Sequence, residues 1–591
     1  LQYAARVATK TSPLSSFTML GVGRWGHDGN GLDMAFGSDV ERRISYKGAM
    51  FRHLMAEVLS DFERAAQLLP FEINPSARVD GDRLRLKAVS SGSLGSGRFW
   101  GTGEERVDAA NTAMLSLIAR LFEDGGNMPI DAPELVRQVC VKAPKLAPEA
   151  VWAFLARLHQ IQYLRPALGG YEQDDAMAAY VALVARIEGE LGEALRALVE
   201  RMQRGAHAFP SADASGRARV MLQLQEDVRA TCELLGVDHD TPLFKPVLFE
   251  NCYLQPVNVP AAPADLQPYV QDLELLIETA VLTDLTHQTR CELADFFLDT
   301  FGSDGVCDDV EGFLETFDEI YGPGKFTGSV PSRKAPRSTV SNGLVEAADR
   351  FHDLLEPLLR GRGEVCIDPQ ALREVVERVP AQIRNRSLSQ SYLLQFSRAE
   401  DRPSAVVNQL FGGRSALMSR FLEVLDAPDI EEVRNYVRAG SDTGYAVELP
   451  GVFGFNANHH PMLADAELSL PPFADGRAGA DRITLDALQM VYDTHTHSVV
   501  LQTREGRRLD VFYQGFLIPS LLPSMHRVLS LVFGDGPSQF SIATLLTRNI
   551  VGPKTLTEVP RLRLGSLVLS RRIWIIPFDR VPDIEDRKSV V

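Results

Sequence analysis

The chain is poor in cysteine and has no long apolar run, and both absences exclude classes of protein. Its six cysteines are scattered over 591 residues without a C-x-x-C pair, which is typical of reduced thiols in a cytosolic protein rather than of a disulfide scaffold. No apolar stretch approaches the roughly 18 uncharged residues that a membrane-spanning helix needs. Arg6 and Lys10 interrupt the apolar segment that a signal peptide would require. We therefore expect a soluble, cytoplasmic protein with no membrane partner. Because the sequence begins at Leu1 without an initiator Met, we also expect its natural start to lie upstream.

Basic residues are also outnumbered, since 61 Lys and Arg stand against 78 Asp and Glu, for a net charge of −17. Such a charge argues against a non-specific nucleic-acid binder. The charge is uneven, however, because Asp284–Glu319 is acidic whereas Arg378–Arg420 and the strip from Lys554 to Arg572 are rich in arginine. These two basic stretches would suit a polyanion held in a local groove, and a solvated surface of mixed charge explains them equally well.

The first third of the chain has the pattern of a winged helix-turn-helix. Tyr46–Leu69 is predicted to be one long amphipathic helix, and Ala77–Lys87 alternates around an Asp-Gly turn, which predicts a hairpin. Three helices should follow, at Ala109–Phe122, Ala132–Val141 and Pro148–Leu164. The third of these helices offers only Arg157 and His159 as basic groups, so we favour peptide binding by strand addition over DNA binding.

The remainder mixes helices with strands, so the predicted class is α+β. The chain should be mainly helical from Gly169 to Leu235, and loops are predicted at Ser90–Gly103 and Tyr321–Ser338. At about 100–200 residues per domain, several packed units are expected. Further strands are predicted at Tyr445–Leu449, Thr496–Thr503, Arg508–Tyr513 and Leu562–Leu569, with helices at Leu521–Leu531 and Ile542–Thr547.

Several familiar motifs fail on inspection. Gly21–Gly26 matches G-x-G-x-x-G, but the glycine-rich residues after it would break the helix that a dinucleotide site needs. His495 and His497 would share one face of a strand, and His459 and His460 lie in a predicted loop. No spacing supplies further ligands, so structural histidines are favoured over a zinc site. Hydrolase, kinase and NTPase functions lose support because no G-x-S-x-G or P-loop occurs.

The residues near the start are more distinctive. Arg6 and Lys10 lie four residues apart, so on a helical turn both cations would point the same way. Thr11 and Ser12 follow, and Pro13 then interrupts the helix. Such a pair suits a phosphate, a carboxylate or a developing oxyanion, although an exposed basic turn would look the same.

Residues 3–18, YAARVATKTSPLSSFT, closely resemble the signature of the lantibiotic dehydratase family in its actinobacterial form, which is approximately Y-x-A-R-x-A-x-K-T-S-P-F-S-x-F-T. Further blocks match in the same order and extend the resemblance over nearly the whole chain. They are AVVNQLFGGR at 405–414, SRFL at 419–422, GFNANHHPMLADAEL at 454–468 and PRLRLGSLVLSRRIW at 560–574.

The resemblance implies the α+β fold of the family's N-terminal region, with an embedded winged-helix element that binds the leader peptide. It also implies glutamylation, in which an amino acid passes from glutamyl-tRNA to Ser or Thr hydroxyls of a ribosomally made precursor peptide. This step begins dehydration in lanthipeptide and thiopeptide biosynthesis. The implied divisions are a first part of the glutamylation core (1–75), the winged-helix element (76–168), a helical subdomain with an acidic connector (169–330) and a mixed α/β core (331–591).

Site residues follow by position. Arg6 and Lys10 are expected to hold and activate the ester, and Arg414 or, preferably, Arg420 is the central catalytic arginine. The family often has an acidic residue where this chain has Asn251, which puts the role of that position in doubt. The expected substrate-binding residues are Thr11, Ser12, Arg83, Arg85, Asn251 and Asn408, and peptide contact is expected near Arg83–Lys87. The expected tRNA-binding residues are Arg384, Arg386, Arg561, Arg563, Arg571 and Arg572.

The resemblance also implies the partners, and two alternatives stay open. No metal or redox cofactor is expected, since charged tRNA is the co-substrate. A separate glutamate-eliminating protein and a homodimer are further expectations. One alternative is a peptide ligase that adds an amino acid from charged tRNA to a peptide C-terminus and requires ATP. The other is a non-catalytic scaffold that presents the precursor peptide.

Overall fold

The computed structural model describes residues 19–23, 35–94, 99–168, 175–258, 262–283, 285–321, 338–386, 389–397, 403–441, 443–452, 454–471, 481–517, 521–534 and 557–575. Helices and sheets are mixed along these residues, which confirms the predicted α+β class. No helix in the described ranges is both long enough and apolar enough to cross a membrane.

The N-terminal part packs around one apolar core that runs in sequence from Met50 to Leu248. Its helices are α1 (Gly48–Ser60), α2 (Phe62–Leu68), α3 (Ala113–Asp124), α4 (Ala132–Lys142), α5 (Pro148–Gln160), α6 (Ala176–Val184), α7 (Gly189–Ala208) and α8 (Ala214–Leu235). Its strands are β1 (Ala35–Tyr46), β2 (Phe71–Ile73), β3 (Arg78–Asp80), β4 (Arg83–Leu94), β5 (Phe99–Ala110), β6 (Leu164–Pro166) and β7 (Leu248–Asn258).

Two expectations for this part are wrong in detail. The long helix predicted over Tyr46–Leu69 is broken at Asp61, because the Asp61 side chain accepts a hydrogen bond from the Arg64 backbone N–H and starts α2 as its N-cap. The predicted loop Ser90–Gly103 is largely the extension of β4 and β5, which pair in continuous register from Arg83↔Ala110 to Leu94↔Phe99. A long antiparallel ladder thus outweighs the turn preference of its Ser and Gly residues.

The predicted hairpin and the three helices after it are confirmed. β3, β4 and β5 form a three-stranded antiparallel sheet in that order, and Gly81 takes the left-handed conformation (φ +60°) at the first turn. Helices α3, α4 and α5 follow, and β2 pairs with β6 across the unit. The assignment of this unit as a winged helix-turn-helix, and the boundaries drawn around it, stay predictions.

The C-terminal part is built on two larger sheets. The five-stranded sheet has the order β10-β11-β20-β19-β9, and the seven-stranded sheet has the order β14-β13-β12-β17-β16-β15-β8. The strands are β8 (Val306–Cys307), β9 (Glu364–Ile367), β10 (Gln390–Ser397), β11 (Ser404–Gly412), β12 (Ala446–Leu449), β13 (Ala466–Ser469), β14 (Arg482–Thr484), β15 (Leu488–Asp493), β16 (Ser498–Thr503), β17 (Arg508–Tyr513), β18 (Thr557–Val559), β19 (Arg561–Leu564), β20 (Leu567–Ser570) and β21 (Ile573–Ile575).

Helices cover these sheets. They are α9 (Gln267–Ala280), α10 (Leu285–Phe301), α11 (Val310–Tyr321), α12 (Thr339–Leu359), α13 (Pro369–Val376), α14 (Ala381–Arg384), α15 (Ala416–Ser419), α16 (Ala427–Ala439) and α17 (Ser524–Val532). The strand predicted at Leu562–Leu569 is two strands, β19 and β20, because Gly565 (φ +53°) turns the chain between them. The predicted helix Ile542–Thr547 lies outside the described residues.

Within the described ranges, contacts at several places join the two parts. The ribbon of β1 and β7 meets the segment after α15, where the Arg43 guanidinium donates to the Glu423 carbonyl. The start of α1 meets the loop Gly454–Asn458, since the Gly48 N–H donates to Asn456 Oδ1 over 3.0 Å. The β4–β5 hairpin is tied to α11 by Lys87, whose Nζ lies 2.6 Å from Glu311 and 2.8 Å from Glu315.

Candidate functional site

Most of the residues singled out at the start of the chain cannot be placed. Arg6, Lys10, Thr11 and Ser12 lie outside the described residues, as does the second half of the Gly21–Gly26 motif. The described segment 19–23 runs along β7. The Leu20 N–H donates to the Cys252 carbonyl over 3.0 Å, and the Leu254 N–H donates to the Leu20 carbonyl over 2.8 Å. This segment and β1 therefore occupy opposite edges of β7.

The ribbon of β1 and β7 has two different faces because side chains alternate along a strand. One face is closed, since Cys252 is buried and Glu250 binds Arg217 over 3.0 Å. The other face carries Asn251 and Tyr253 and is covered by the segment Arg420–Glu423, in which the 3₁₀-helix Leu422–Val424 follows α15. The family resemblance singled out Asn251 and Arg420, and the fold brings them to the same face.

Glu423 joins the strands to this segment. Its carboxylate oxygen Oε1 accepts hydrogen bonds from Asn251 Nδ2 over 3.0 Å and from the Tyr253 hydroxyl over 2.5 Å. The Arg43 guanidinium lies over the Tyr253 ring at 5.7 Å and donates to the Glu423 backbone. We call Arg43, Asn251, Tyr253, Arg420 and Glu423 the Glu423 cluster. It combines one carboxylate with two cations, where charge can be stabilised and a proton exchanged.

The pKa shifts in the cluster agree with this geometry. Burial, reinforced by the hydrogen bond to Glu423, raises the pKa of the Tyr253 hydroxyl well above its usual value, so that Tyr253 stays a proton donor. Burial lowers the pKa of Arg420, while Tyr253 and Glu423 oppose that shift. The guanidinium of Arg420 also lies over the rings of Phe421 and Phe516, at 5.3 and 5.9 Å.

Arg414 points to a different part of the molecule. It is buried, takes the left-handed conformation (φ +57°) and packs on the Phe512 ring at 5.1 Å. Its backbone carbonyl accepts from Gln514 over 2.8 Å. The residue lines a cavity of about 560 Å³, and its polar neighbours there include Arg290, Arg386, Asp493, Arg508 and Asp510. Of the two candidate arginines, Arg420 is therefore the one that shares a site with Asn251.

Asn408 is placed in the five-stranded sheet rather than in the Glu423 cluster. It lies on β11 at a register shift of the ladder with β10. Its buried amide nitrogen has no hydrogen-bond partner within the described part of the chain.

The expected peptide edge needs correction. Arg83, Arg85 and Lys87 lie on β4, which is the central strand of its sheet and not an edge. Arg85 is bound to Asp108 over 3.4 Å. β4 continues beyond the end of β3, and there the backbone on the β3 side of β4 is already hydrogen-bonded. The Gln162 side-chain amide accepts from the Val89 N–H and donates to the Val89 carbonyl, each over 2.8 Å. In the described sheet, the strand with an open edge on this side is β3, whose three residues are all exposed.

Two of the expected tRNA-binding arginines also need correction. Arg386 is buried, and its guanidinium donates to the carbonyls of His287, Thr496 and His497. Arg563 is fully buried and lies 3.9 Å from Glu364. The guanidinium groups of these two arginines are bound to internal partners, so neither is an exposed phosphate contact. The expected residues that reach solvent are Arg384, Arg571 and Arg572, with Arg561 half-buried beside Glu364.

The paired histidines do not share a strand face. His495 and His497 lie in the turn between β15 and β16, His497 with φ +44°. His497 is buried between the Tyr492 hydroxyl at 2.8 Å and Asp295 at 3.4 Å, which agrees with the favoured structural interpretation. No group of three or more potential metal ligands occurs among the residues that the structure describes.

Sequence reasoning missed Glu423, Tyr253 and Arg43. A signal was present, because Glu423 directly follows the SRFL block and Tyr253 lies two residues after Asn251 on a strand, hence on the same face. The contact between β7 and the segment Arg420–Glu423, however, could not be predicted from the sequence of either segment.

The comparisons with known proteins agree with the fold. Residues 1–253 match the family model described as lantibiotic dehydratase, N terminus, which confirms the resemblance seen in the sequence. The chain has the fold of a lantibiotic dehydratase N-terminal region.

Among solved structures, the glutamylation domain of TbtB from thiomuracin biosynthesis is similar, with a TM-score of 0.69 at 19% identity over 97% of this chain and 67% of that one. The same domain bound to 5'-phosphodesmethylglutamycin is similar with a TM-score of 0.69 at 18% identity over 99% and 69%. The tRNA-dependent lantibiotic dehydratase MibB from Microbispora sp. 107891 is similar with a TM-score of 0.64 at 18% identity, and the likeness covers 97% of this chain and 54% of that one. No curated protein sequence gives a match.

Proposed function

We propose that this protein transfers a glutamyl group from glutamyl-tRNA to Ser or Thr hydroxyls of a ribosomally made precursor peptide, the first half-reaction of dehydration. The observation that carries the proposal is the likeness of fold to the TbtB glutamylation domain over 97% of the chain. The match of residues 1–253 to the dehydratase family supports it independently. The products would be a glutamylated peptide and an uncharged tRNA.

Glutamyl transfer requires mainly that the two reactants are positioned and that the developing charge is stabilised. An aminoacyl ester is already activated, so transfer to a hydroxyl needs alignment, a proton acceptor and stabilisation of the tetrahedral oxyanion. The Glu423 cluster supplies a carboxylate and, in Arg43 and Arg420, two cations. Arg6 and Lys10 are proposed to act on the ester together with Arg420, and neither a metal nor a redox cofactor takes part.

Both partners would bind on surfaces that the described residues offer. The precursor peptide is proposed to add a strand beside β3, where Val79 is 51% exposed. The tRNA phosphates are proposed to lie on exposed arginines of the C-terminal part, above all Arg571 and Arg572. Elimination of glutamate would need a further domain or a separate protein.

Intact mass spectrometry tests the proposal. A candidate precursor peptide is incubated with the protein and charged glutamyl-tRNA, and we expect the peptide to gain one or more glutamyl units that mild base removes. The Lys10→Ala variant should bind the peptide normally and transfer nothing. A base-stable addition at the peptide C-terminus that requires ATP and another charged tRNA would show a peptide ligase. Peptide binding without transfer, in a protein with its upstream residues restored, would show a scaffold.

A further inference from the structure

Glu423 lies on a fixed segment, and its side chain reaches solvent. Its neighbours Phe421 and Leu422 are buried in the core, so their packing fixes the position of this short segment. The Glu423 side chain itself is exposed. Both hydrogen bonds that it accepts, from Asn251 and Tyr253, end on the same oxygen, Oε1. Among the described residues, no hydrogen bond reaches Oε2, the second oxygen of this exposed carboxylate.

The other members of the Glu423 cluster cannot take up a proton. Arg43 and Arg420 are cations, and the amide of Asn251 has no proton-accepting state near neutral pH. Burial keeps Tyr253 protonated, as its raised pKa shows. Nearby carboxylates are occupied, because Glu41 is bound to Arg43 over 2.7 Å and Glu250 lies on the opposite face of the ribbon with Arg217. Within the cluster, Glu423 is thus the only proton acceptor.

We infer that Glu423 is the general base of the transfer step and receives the proton of the attacking Ser or Thr hydroxyl on Oε2. The inference rests on the proposed function. As the hydroxyl oxygen attacks the ester carbonyl, its O–H bond breaks and the proton moves to Glu423. The tetrahedral oxyanion forms beside Arg420. It collapses with cleavage of the bond to the ribose oxygen of tRNA, and Glu423 returns the proton to that oxygen. Atoms and charge balance without a further reactant.

Tyr253 and Asn251 are positioning residues in this scheme. By donating to Oε1, they fix the orientation of the carboxylate and leave Oε2 for the substrate. Truncating them should therefore reduce the rate less than removing the carboxylate does, and the conservative variant Tyr253→Phe should lower kcat with little change in KM.

The test is the single-turnover rate of glutamylation with saturating precursor peptide and glutamyl-tRNA. Glu423→Gln keeps the size of the side chain and an oxygen for Tyr253 and Asn251, but it removes the base. We expect the rate to fall by roughly 10²–10⁴-fold, with peptide and tRNA affinities within about twofold of wild type and an unchanged melting temperature. Glu423→Asp should recover part of the rate.

Glu431→Gln is the matched control, because Glu431 is a surface carboxylate of α16 that pairs with Arg434. It should behave as wild type. A Glu423→Gln rate within about threefold of wild type would overturn the inference while leaving the proposed function standing, as would an equal loss of affinity or of thermal stability. If the wild-type protein transfers nothing with any charged tRNA, the proposed function itself fails and this inference falls with it.

Discussion

Asn251 and Glu423 stand 172 positions apart in the sequence and share a hydrogen bond in the structure. At the residue scale this pairing accounts for the departure of Asn251 from the acidic residue that the family often has there. A neutral amide can donate to Glu423, whereas an aspartate would face it as a second negative charge and disfavour ionisation of both. The carboxylate of this site is therefore supplied by a neighbouring segment.

Gly454 offers a residue-scale test of the junction between the two parts. It has φ +57°, and a Cβ there would lie 2.5 Å from Nε of the buried Arg52. Gly444→Ala is the matched control, since Gly444 has φ +68° with open space around it. We expect the control to lose about 1–2 kcal/mol from backbone strain alone. Gly454→Ala should lose about 1–3 kcal/mol more through the clash.

Thermal unfolding followed by circular dichroism or dye binding measures this difference. The prediction is contradicted if both alanine variants melt at the same temperature.

At the scale of elements, the sheet of β3, β4 and β5 shows that strand pairing determines which strand is left at the edge of a sheet. The alternation near Arg83–Lys87 indicated a strand, and the strand is there. It lies between β3 and β5, however, and the Gln162 side chain closes its remaining edge at Val89. The sheet therefore has two edge strands, β5 on one side and β3 on the other, and β3 has only three residues. A peptide that adds a strand would thus meet a short edge beside an exposed apolar side chain.

Val79→Asp should weaken binding of the precursor peptide by at least about tenfold, because it places a charge on that edge. Val141→Asp is the control, since Val141 is a 68% exposed valine at the end of α4, away from the sheet. Fluorescence anisotropy of a labelled peptide would show the difference. Equal affinities for the two variants would move the peptide site elsewhere.

At the scale of the whole molecule, the net charge of −17 and the exposed arginines have to be considered together. An acidic protein repels tRNA at long range, so binding would depend on a few local phosphate contacts and should weaken as salt rises. Only part of the arginine-rich sequence is available for such contacts. Arg386 is buried and donates to the His497 carbonyl, and Arg563 is buried beside the Glu364 carboxylate.

The double variant Arg571→Gln/Arg572→Gln should weaken tRNA binding and lower the slope of log K against log salt by about 0.7–0.9 for each phosphate that an arginine no longer neutralises. Arg204→Gln/Arg229→Gln is the matched control, since both residues are exposed arginines of the N-terminal part paired with a glutamate four residues away. Filter binding at several salt concentrations measures both. Equal slopes for the two double variants would exclude the C-terminal arginines as a tRNA surface.

Local signals predicted the elements well where a segment's own residues decide its structure. The Asp-Gly turn, the proline at the first turn of α5 and the amphipathic patterns of α3–α5 act over a few residues, and these elements are present. Predictions went wrong where distant residues decide. Ser90–Gly103 looks like a loop until two twelve-residue strands pair along it. Arg386 and Arg563 look like phosphate contacts until the surrounding sheets bury them.

The sequence by itself determined the α+β class and the family resemblance, and it proposed Asn251 and Arg420 as candidate site residues, because composition, periodicity and motif order are properties of the chain alone. The tertiary structure alone decided that these two residues share a face, that Arg414 lines a different cavity and that Glu423 is the carboxylate between Asn251 and Tyr253. The physical reason is that a site of this kind depends on distances of about 3 Å between atoms far apart in the chain, and such distances arise only when separate segments pack together.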